Sequence, residues 1–299
     1  MPSAIGLGNF QASLEPIARK SFHLGLGREV KDRKEMYFDI IKSDKKTETY
    51  IELGDIGTVP EFDGELAYEG ISQGYQNTIT NKIYGKGMRI DYEFVRTDQQ
   101  RIAMSLPKML GLAMGRRIAG DSSTWFNDAN TANYPTKDTL SLSNAAHTSN
   151  NGGANQSNRI TTAFGAVALA AARISHRKVL SNTDQVLEIM PTLLFGGIDL
   201  QDSFEEVIKS KGQVNTANNT INVMEGKWTA INDRRFTDAN NWAIGDKELM
   251  KEYNIWQDVD PVEFKQAEHF DGRVAKYAVW AFYGFGSTGW EWVFYSEVD

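Results

Sequence analysis

The chain has 299 residues, enough for one large domain or two smaller ones, and its 41% hydrophobic and 24% charged residues are ordinary for a globular protein. It contains no cysteine, which excludes disulfides and thiolate metal sites and makes cytosolic folding the simplest expectation. The first residues, MPSAIGLGNF, lack the features of a secretory signal, and no run of about 18 apolar residues predicts a membrane-spanning helix.

The net charge of −7 argues against a protein that grips nucleic acid through its phosphates, but the charge is uneven along the chain. Residues 17–46 contain nine basic and five acidic side chains and therefore carry +4, which leaves −11 for the rest. This segment is predicted to be either a solvated amphipathic stretch or an arm that lies on an acidic neighbouring subunit or near DNA.

The first 94 residues divide into an arm and a β region. Residues 1–35 are predicted to be an extended arm with one short helix, because they are punctuated by Gly6, Gly8, Gly25 and Gly27. Residues 36–94 favour β-structure, with strands at Thr47–Leu53 and Tyr75–Tyr84 around a turn-rich stretch. A further strand with one buried face is predicted from the alternation of Met88, Ile90, Tyr92 and Phe94 with polar residues.

A long helix follows, from a cap at Thr97 or Asp98 to about Phe126. Pro107 either kinks this helix or begins its main part. Its apolar stripe is predicted to consist of Leu106, Leu110, Ala113 and Ile118. Residues 127–159 are polar and are predicted to form a loop.

A second helix is predicted at Thr161–Ser175, with one apolar face formed by Phe164, Val167, Ala168, Ala171 and Ile174. Short strands are expected at Val186–Met190 and Leu193–Phe195. A third helix is expected after a cap at Asp199, with a face of Leu200, Phe204, Val207 and Ile208.

The remainder favours β-structure. After a polar loop at Asn215–Thr220, strands are predicted at Ile221–Ile231, Asn241–Ile244, Arg273–Tyr283 and Trp290–Tyr295, with a glycine turn before the last strand. Strands and helices are grouped along the chain and do not alternate as βαβ units. The sequence therefore predicts an α+β fold.

Two strings match catalytic or nucleotide-binding motifs, but their surroundings argue against both functions. Gly284-Phe-Gly286-Ser-Thr-Gly289 is a GxGxxG string, yet a Trp-rich strand and not a helix follows it, which favours a hairpin turn. Gly70-Ile-Ser72-Gln-Gly74 is a GxSxG string, yet a β segment follows where a nucleophile elbow needs a helix. Gly120-Asp121-Ser122 follows a helix instead of a strand and is weaker still.

Other residue types give no site. The four histidines, His23, His147, His176 and His269, form no helical i, i+4 metal pair and are predicted to lie on the surface or in loops. Trp280, Trp290 and Trp292 are predicted to pack in the core or a subunit interface. Nothing distinguishes a glycosidase pair among the 39 carboxylates. We therefore predict no catalytic, cofactor-binding or metal-binding residue, and no enzymatic activity.

Four segments resemble major capsid proteins with the HK-97-type fold, including the major head subunits of Mu-like phages. The first is the β excursion that runs straight into Arg89-Ile-Asp-Tyr-Glu and the long helix, and the second is Leu140–His147, where Leu142 stands at a position commonly occupied by Phe. The third is Met190-Pro-Thr-Leu-Leu194 between two helices, and the fourth is the pair of closing strands, Arg273–Tyr283 and Gly289–Tyr295. The resemblance covers roughly residues 36–299.

The resemblance implies an HK-97-like architecture in five parts. These are an N-terminal arm (1–35), an extended β loop (36–90), a peripheral domain (91–190) with a spine helix at about 97–126, an axial domain (191–268), and closing strands of the peripheral domain (269–299). It implies a virion protein that assembles in the host cytoplasm into hexamers and pentamers of an icosahedral head. That head would enclose double-stranded DNA without sequence-specific binding.

The partners implied are further copies of the chain, a portal, a scaffolding protein encoded separately, and a decoration protein; no membrane is implied. Some family members crosslink Lys to Asn between subunits, and the candidate loop contains five lysines, Lys42, Lys45, Lys46, Lys82 and Lys86, without a marked partner. Three alternatives stay open: an encapsulin-like compartment shell, a hydrolase using Ser72 or a carboxylate pair, and another virion part such as a tail or decoration protein.

Overall fold

The computed structural model describes residues 7–30, 33–53, 59, 61–64, 66, 68, 70, 73–91, 93, 97, 102–149, 153–181, 185–212, 221–269 and 274–298. The helices are α1 (Leu7–Val30), α2 (Arg33–Tyr37), α3 (Ile102–Asp121), α4 (Thr124–Asn127), α5 (Ala166–His176), α6 (Gln201–Lys209) and α7 (Lys247–Tyr253). The strands are β1 (Asp39–Lys42), β2 (Thr47–Leu53), β3 (Gln73–Thr80), β4 (Lys82–Asp91), β5 (Arg159–Ile160), β6 (Leu193–Gly196), β7 (Thr229–Asn232), β8 (Trp242–Gly245), β9 (Asn254–His269), β10 (Val274–Ser287) and β11 (Val293–Ser296). The predicted α+β class is confirmed.

A four-stranded sheet of order β1-β9-β10-β4 forms the first layer. β10 is antiparallel to both β9 and β4, while β1 runs parallel to β9. Alternate residues of β10, among them Tyr277, Val279 and Ala281, are buried on one face of this sheet. Helices α1 and α3 cover that face, and the ring of Phe22 stacks on Phe264 with 4.9 Å between centroids.

A second, five-stranded sheet has the order β5-β11-β8-β6-β7. One of its faces packs on α5 and α6 around Leu169, Phe204 and Ile244. Its other face, including Phe195, joins the main core. There the ring of Trp125 packs edge-on against Phe195, with 4.9 Å between centroids, so one continuous core links the two sheets through short aromatic contacts.

The prediction of an extended arm is wrong, because residues 7–30 form a single helix that packs along α3. Gly25, one of the glycines that suggested breaks in the chain, instead lies at the contact between α1 and α3. A Cβ on Gly25 would lie 2.2 Å from the carbonyl oxygen of Lys108, and one on Gly111 would lie 2.2 Å from that of Phe22. Glycine lets the two helix backbones meet at a distance that any side chain would prevent.

The β region is largely as predicted. β2 has the predicted bounds. β3 and β4 replace the single predicted strand Tyr75–Tyr84, because the strand is interrupted at Asn81 and its two parts belong to different sheets. Met88 and Ile90 turn inward and their neighbours are exposed, which confirms that half of the alternation. Tyr92 and Phe94 lie outside the described residues.

The long helix is shorter than predicted, since it ends at Asp121 and Phe126 belongs to the separate helix α4. Pro107 lies within α3, and Leu110 and Ile118 are buried as expected. Thr97 is not an N-cap of this helix, because its hydroxyl donates to the carbonyl of Glu93 at 2.8 Å. Asp98 lies outside the described residues.

The second helix begins five residues later than predicted and turns a different face inward. Its buried residues are Ala168, Leu169, Ala172 and His176, whereas Val167 and Ile174 are exposed. In so alanine-rich a helix two apolar stripes are available, and only the tertiary fold selects between them.

Further differences concern the segments that flank α6. The predicted strand Val186–Met190 forms only an isolated bridge between Val186 and Leu180. Asp199 lies in a 3-10 turn at Ile198–Leu200 and does not cap α6, although the predicted buried face with Phe204 and Val207 is confirmed. The loop Asn215–Thr220 lies outside the described residues, and of the predicted strand Ile221–Ile231 only the end is β-structure.

At the end of the chain, β9 was not predicted, and β10 continues past Tyr283 to Ser287. Gly284 and Gly286 are therefore strand residues and not the predicted turn. A Cβ on Gly284 would lie 2.3 Å from the side-chain oxygen of Asn81. These glycines let the base of the β2–β3 hairpin lie directly on β10.

Candidate assembly surfaces

The β2–β3 hairpin projects from the body, and a buried ion-pair cluster holds its base. Lys137 comes from the polar loop after α4 and lies 2.6 Å from the Glu52 carboxylate of β2. It also forms an ion pair with Glu291, which follows β10. Lys137 and Glu291 are both almost fully buried, so these charges stabilise the fold only while they remain paired.

The electrostatics of this cluster favour a charged lysine. Burial alone would lower the pKa of the Lys137 ammonium, but Glu291 and Glu52 outweigh it and hold that pKa above its usual value. The ring of Tyr253 also lies 5.9 Å from the ammonium. Loop, hairpin and closing segment are thus tied together by one buried cation.

Neutral hydrogen bonds complete the anchor. The Gln257 amide donates to the Tyr50 hydroxyl at 2.7 Å, and the Asn77 amide donates to the carbonyl of Ser287 at 2.6 Å. On the opposite side the Asn81 amide donates to the carbonyl of Lys45 at 2.7 Å. The base of the hairpin is therefore fixed on β9 and β10, and the body presents the rest of it outward.

Among the histidines whose burial the structure describes, His147 and His176 are buried, contrary to prediction. In the same polar loop, Nδ1 of His147 lies 2.7 Å from the Asp138 carboxylate, and Nε2 lies 3.2 Å from the side-chain oxygen of Asn158. Its ring stacks flat on Trp290 at 4.2 Å. Burial would raise the pKa of Asp138, but the His147 contact outweighs it and lowers that pKa. The Thr136 hydroxyl donates to the Asp138 carboxylate at 2.8 Å, on the side away from the imidazole, whose two nitrogens face Asp138 and Asn158. This arrangement fits a structural role.

His176 occupies the inner face of α5. Its Nε2 donates to the carbonyl of Glu291 at 2.8 Å, while Nδ1 has no hydrogen-bond partner. Burial lowers the pKa of His176 to about 4, so the ring is neutral at physiological pH. Sequence spacing could have indicated this position, because His176 follows Ala168, Leu169 and Ala172 at helical intervals.

The hairpin tip exposes four large apolar side chains, Val59, Phe62, Leu66 and Tyr68, with between 64% and 90% of each accessible. Isolated exposed apolar residues are ordinary, but four on one thin projection are not. Two further apolar surfaces lie on the body. One is a groove of about 680 Å³ between α5 and α6, with Phe164 and Val167 in its wall, and the other surrounds Trp280 on the outer face of the four-stranded sheet.

The motif strings lie only partly within the described residues. Ser72 lies outside the described residues, while Ser122 follows the end of α3 and donates to the carbonyl of Ala119. Trp290 and Trp292 are buried in the core as predicted, whereas Trp280 is half-exposed. Within the described ranges no group of three or more metal-ligating side chains occurs. Among the same residues, none of the helices has the length and hydropathy needed to cross a bilayer.

Comparison with solved structures identifies the fold. A chain from the mature capsid of bacteriophage PhiM1 matches with a TM-score of 0.60 at 10% identity, over 89% of this chain and 86% of that one. A chain from Microbacterium phage Oxtober96 matches with a TM-score of 0.57 at 11% identity, over 89% and 90%. A chain from Mycobacterium phage Patience gives 0.58 at 8% identity, over 100% and 90%.

The architecture is therefore the HK-97-like fold of phage capsid proteins. A family model described as phage capsid protein matches residues 76–296, and the chain belongs to that family. Comparison with curated proteins gave no match.

Proposed function

We propose that this chain is the major head subunit of a tailed phage, which self-assembles into hexamers and pentamers of an icosahedral shell around double-stranded DNA. Membership of the phage capsid family supports a structural role in the virion. The observation that carries the assembly role is the hairpin, whose base is anchored to the body while the apolar side chains described at its tip are largely exposed.

The physical argument concerns where buried area can be gained. A two-stranded hairpin is marginal by itself in water, and an exposed apolar tip adds no stability to a monomer. On a neighbouring subunit the same side chains would be removed from water, each contributing about 1.5–3 kcal/mol. Contacts of this head-to-tail kind close into rings when they repeat around a symmetry axis.

The five-part division of the chain belongs to the same proposal. Its parts follow the order of segments in HK-97-like proteins. They are an arm (1–35), an extended loop (36–90), a peripheral domain (91–190), an axial domain (191–268) and closing strands (269–299). The helical conformation of residues 7–30 changes the expected form of the arm but not its place in this order.

The proposed partners are copies of the chain itself, a portal and a scaffolding protein. A decoration protein is a further candidate partner, since a chain of similar fold comes from a bacteriophage JBD30 capsid that is decorated with minor capsid protein trimers. Assembly in the host cytoplasm and a purely structural, non-enzymatic role are parts of the same proposal. The net charge of −7 is compatible with DNA that is enclosed and not gripped.

Negative-stain microscopy of the purified full-length chain tests the proposal. Closed shells or capsomer rings are the expected result. A monodisperse monomer at high concentration, without rings under any condition, would contradict it. Shells that carry an enzyme cargo and no DNA on purification from infected cells would indicate a compartment shell instead.

The hydrolase alternative has its own test. Unmodified protein and a Ser72→Ala variant are assayed against model esters and in parallel for assembly. We expect no hydrolysis by either protein and unchanged shells. Hydrolysis that disappears in the variant would establish the enzyme.

A further inference from the structure

A cavity of about 400 Å³ lies between the base of the β2–β3 hairpin and the body of the subunit. The hairpin contributes Tyr50 and Glu52 from β2 and Tyr75 and Asn77 from β3. All four line the same cavity, so they belong to the face of the hairpin that is turned toward the body. A cavity of this volume is within the range of sites that hold a small ligand.

The body supplies a cation, an aromatic ring and a further carboxylate. Lys137 is the buried end of the cavity, where its ammonium is already paired with Glu52 at 2.6 Å. Tyr253 packs over Gly289, where an added Cβ would lie 2.7 Å from the tyrosine ring. Glu252 is exposed at the rim and forms no ion pair or hydrogen bond within the described part of the chain. The rim therefore presents a carboxylate that has no counter-charge.

The charge around the cavity is net negative. Glu52, Glu252 and, behind the lysine, Glu291 give three negative charges against the one positive charge of Lys137, a formal balance of −2. Burial raises the pKa of the Tyr253 hydroxyl, and the three carboxylates raise it further although Lys137 opposes them. The potential at this hydroxyl is thus negative, which favours a second cation in the cavity.

Three tyrosines, Tyr50, Tyr75 and Tyr253, line the cavity and determine which kind of cation it suits. The faces of aromatic rings attract ammonium and guanidinium groups. A hard metal ion would instead need about six oxygen ligands. Beside Tyr50, the side-chain oxygen of Gln257 is buried and accepts no hydrogen bond from a described residue, so the surroundings are rich in acceptors. Rings and acceptor oxygens together favour an organic cation.

We propose that this cavity binds an organic cation that carries a primary ammonium or guanidinium group. The charged group lies against Glu252 and the tyrosine rings, and its aliphatic chain lies on Ile51 and Ile255, which also line the cavity. Two sources have this chemistry, a free polyamine and a lysine or arginine side chain of a second copy. The inference goes beyond the proposed function, because the cavity is complete within one subunit.

Thermal unfolding of the unassembled full-length subunit, with putrescine as the probe, tests the site. Putrescine is expected to raise the unfolding midpoint in a saturable manner, because it binds the folded chain. Sodium chloride and magnesium chloride at the same ionic strength should not, since neither offers an organic ammonium to the rings. Glu252→Gln is expected to weaken putrescine binding about fivefold. Glu248→Gln removes another exposed carboxylate of α7, outside the cavity, and is the matched control that should bind normally.

A pair of variants at Tyr75 tests the aromatic contribution. Tyr75→Phe loses the hydroxyl that bonds to Thr148 but keeps the ring, and it should bind putrescine as the natural chain does. Tyr75→Leu removes the ring and should bind several-fold more weakly. The midpoint of each variant without putrescine separates a change in stability from a change in binding. Equal binding by Tyr75→Leu and the natural chain would overturn the aromatic site.

Three other results would also overturn the proposal. They are no saturable shift with putrescine, an equal shift with magnesium chloride, and a shift that Glu252→Gln leaves unchanged. If putrescine binds, labelled putrescine and assembled shells identify the natural source. Shells that bind it stoichiometrically assign the cavity to a free polyamine. Shells that exclude it, while unassembled subunits bind it, assign the cavity to a side chain of a second copy. Failure of the chain to form shells would count against the proposed function alone, because binding is measured on the unassembled subunit.

Discussion

At the scale of single residues, Lys137 is the side chain on which the hairpin anchor depends most. It is buried between Glu52 and Glu291, and its removal would leave a buried carboxylate without a counter-charge. We expect Lys137→Met to reduce the free energy of unfolding by about 3–5 kcal/mol. Urea denaturation of the unassembled subunit, followed by tryptophan fluorescence, measures this loss.

The matched control is Lys265→Met, because Lys265 also pairs with a glutamate, Glu263 at 3.0 Å, but is 63% exposed. Exposed pairs contribute about 0–1 kcal/mol, so this variant should unfold nearly as the natural chain does. Equal losses in the two variants would show that Lys137 is not the anchor inferred from its burial.

His176 gives a prediction about pH. Its pKa is about 4 in the folded chain, below the ordinary value of about 6.5 expected when unfolded. Between these two values the unfolded state binds a proton that the folded state does not, so stability falls as the pH drops from about 6.5 to 4. The shift corresponds to a loss of roughly 3 kcal/mol. Urea midpoints measured across this range on unassembled subunits report the effect.

A His176→Gln variant retains an amide that can donate to the Glu291 carbonyl and removes the titrating ring. Its stability should therefore fall less steeply over the same pH range. Asp138, whose pKa is lowered, contributes stability that is lost only as the pH falls through its folded pKa, and it is present in both proteins. Identical pH profiles for the two proteins would contradict the assignment to His176.

At the scale of elements, the crossing of α1 and α3 depends on two glycines that face each other's helix. A Cβ on Gly111 would meet the backbone of Phe22 at 2.2 Å, whereas a Cβ on Gly120 of the same helix would meet nothing within 4 Å. Gly111→Ala should therefore separate the helices and cost about 1–3 kcal/mol. Gly120→Ala should instead be neutral or stabilise by up to about 1 kcal/mol, because alanine favours a helix. Thermal unfolding of both variants measures these changes in stability. If both substitutions stabilise the protein, or both destabilise it to the same extent, the close crossing of the two helices would be contradicted.

The same pair of helices shows why the arm was mispredicted. Gly25 suggests an interruption of the helix when only its neighbours in sequence are considered, since glycine weakens an isolated helix. Close approach to the backbone of Lys108, which lies 83 positions further along the chain, compensates for that weakness. A pattern local to residues 1–35 contains no information about this partner.

At the scale of the whole molecule, the hairpin tip is expected to contribute to assembly and not to the stability of the single subunit. Phe62 and Tyr68 contribute almost nothing to the core of their own subunit, because both are largely exposed. Replacing both with serine should leave the urea midpoint unchanged. The concentration needed for assembly should rise by at least tenfold, since burial of each ring contributes about 1.5–3 kcal/mol at an interface. Sedimentation across a concentration series measures this threshold, and an unchanged threshold would remove the tip from the assembly interface.

The sequence by itself determined the α+β class, the bounds of β2 and the buried face of α6. Each of these follows from local periodicity, which a single chain displays directly. It also contained the order of segments that resembles phage capsid proteins.

Only the tertiary structure decided the features that depend on distant partners. These are the helical arm, the buried cluster of Lys137 with Glu52 and Glu291, the burial of His147 and His176, and the outward turn of Val167. In every case the deciding contact joins residues far apart in the chain, and burial or pairing at that contact outweighs the local preference of the residues involved.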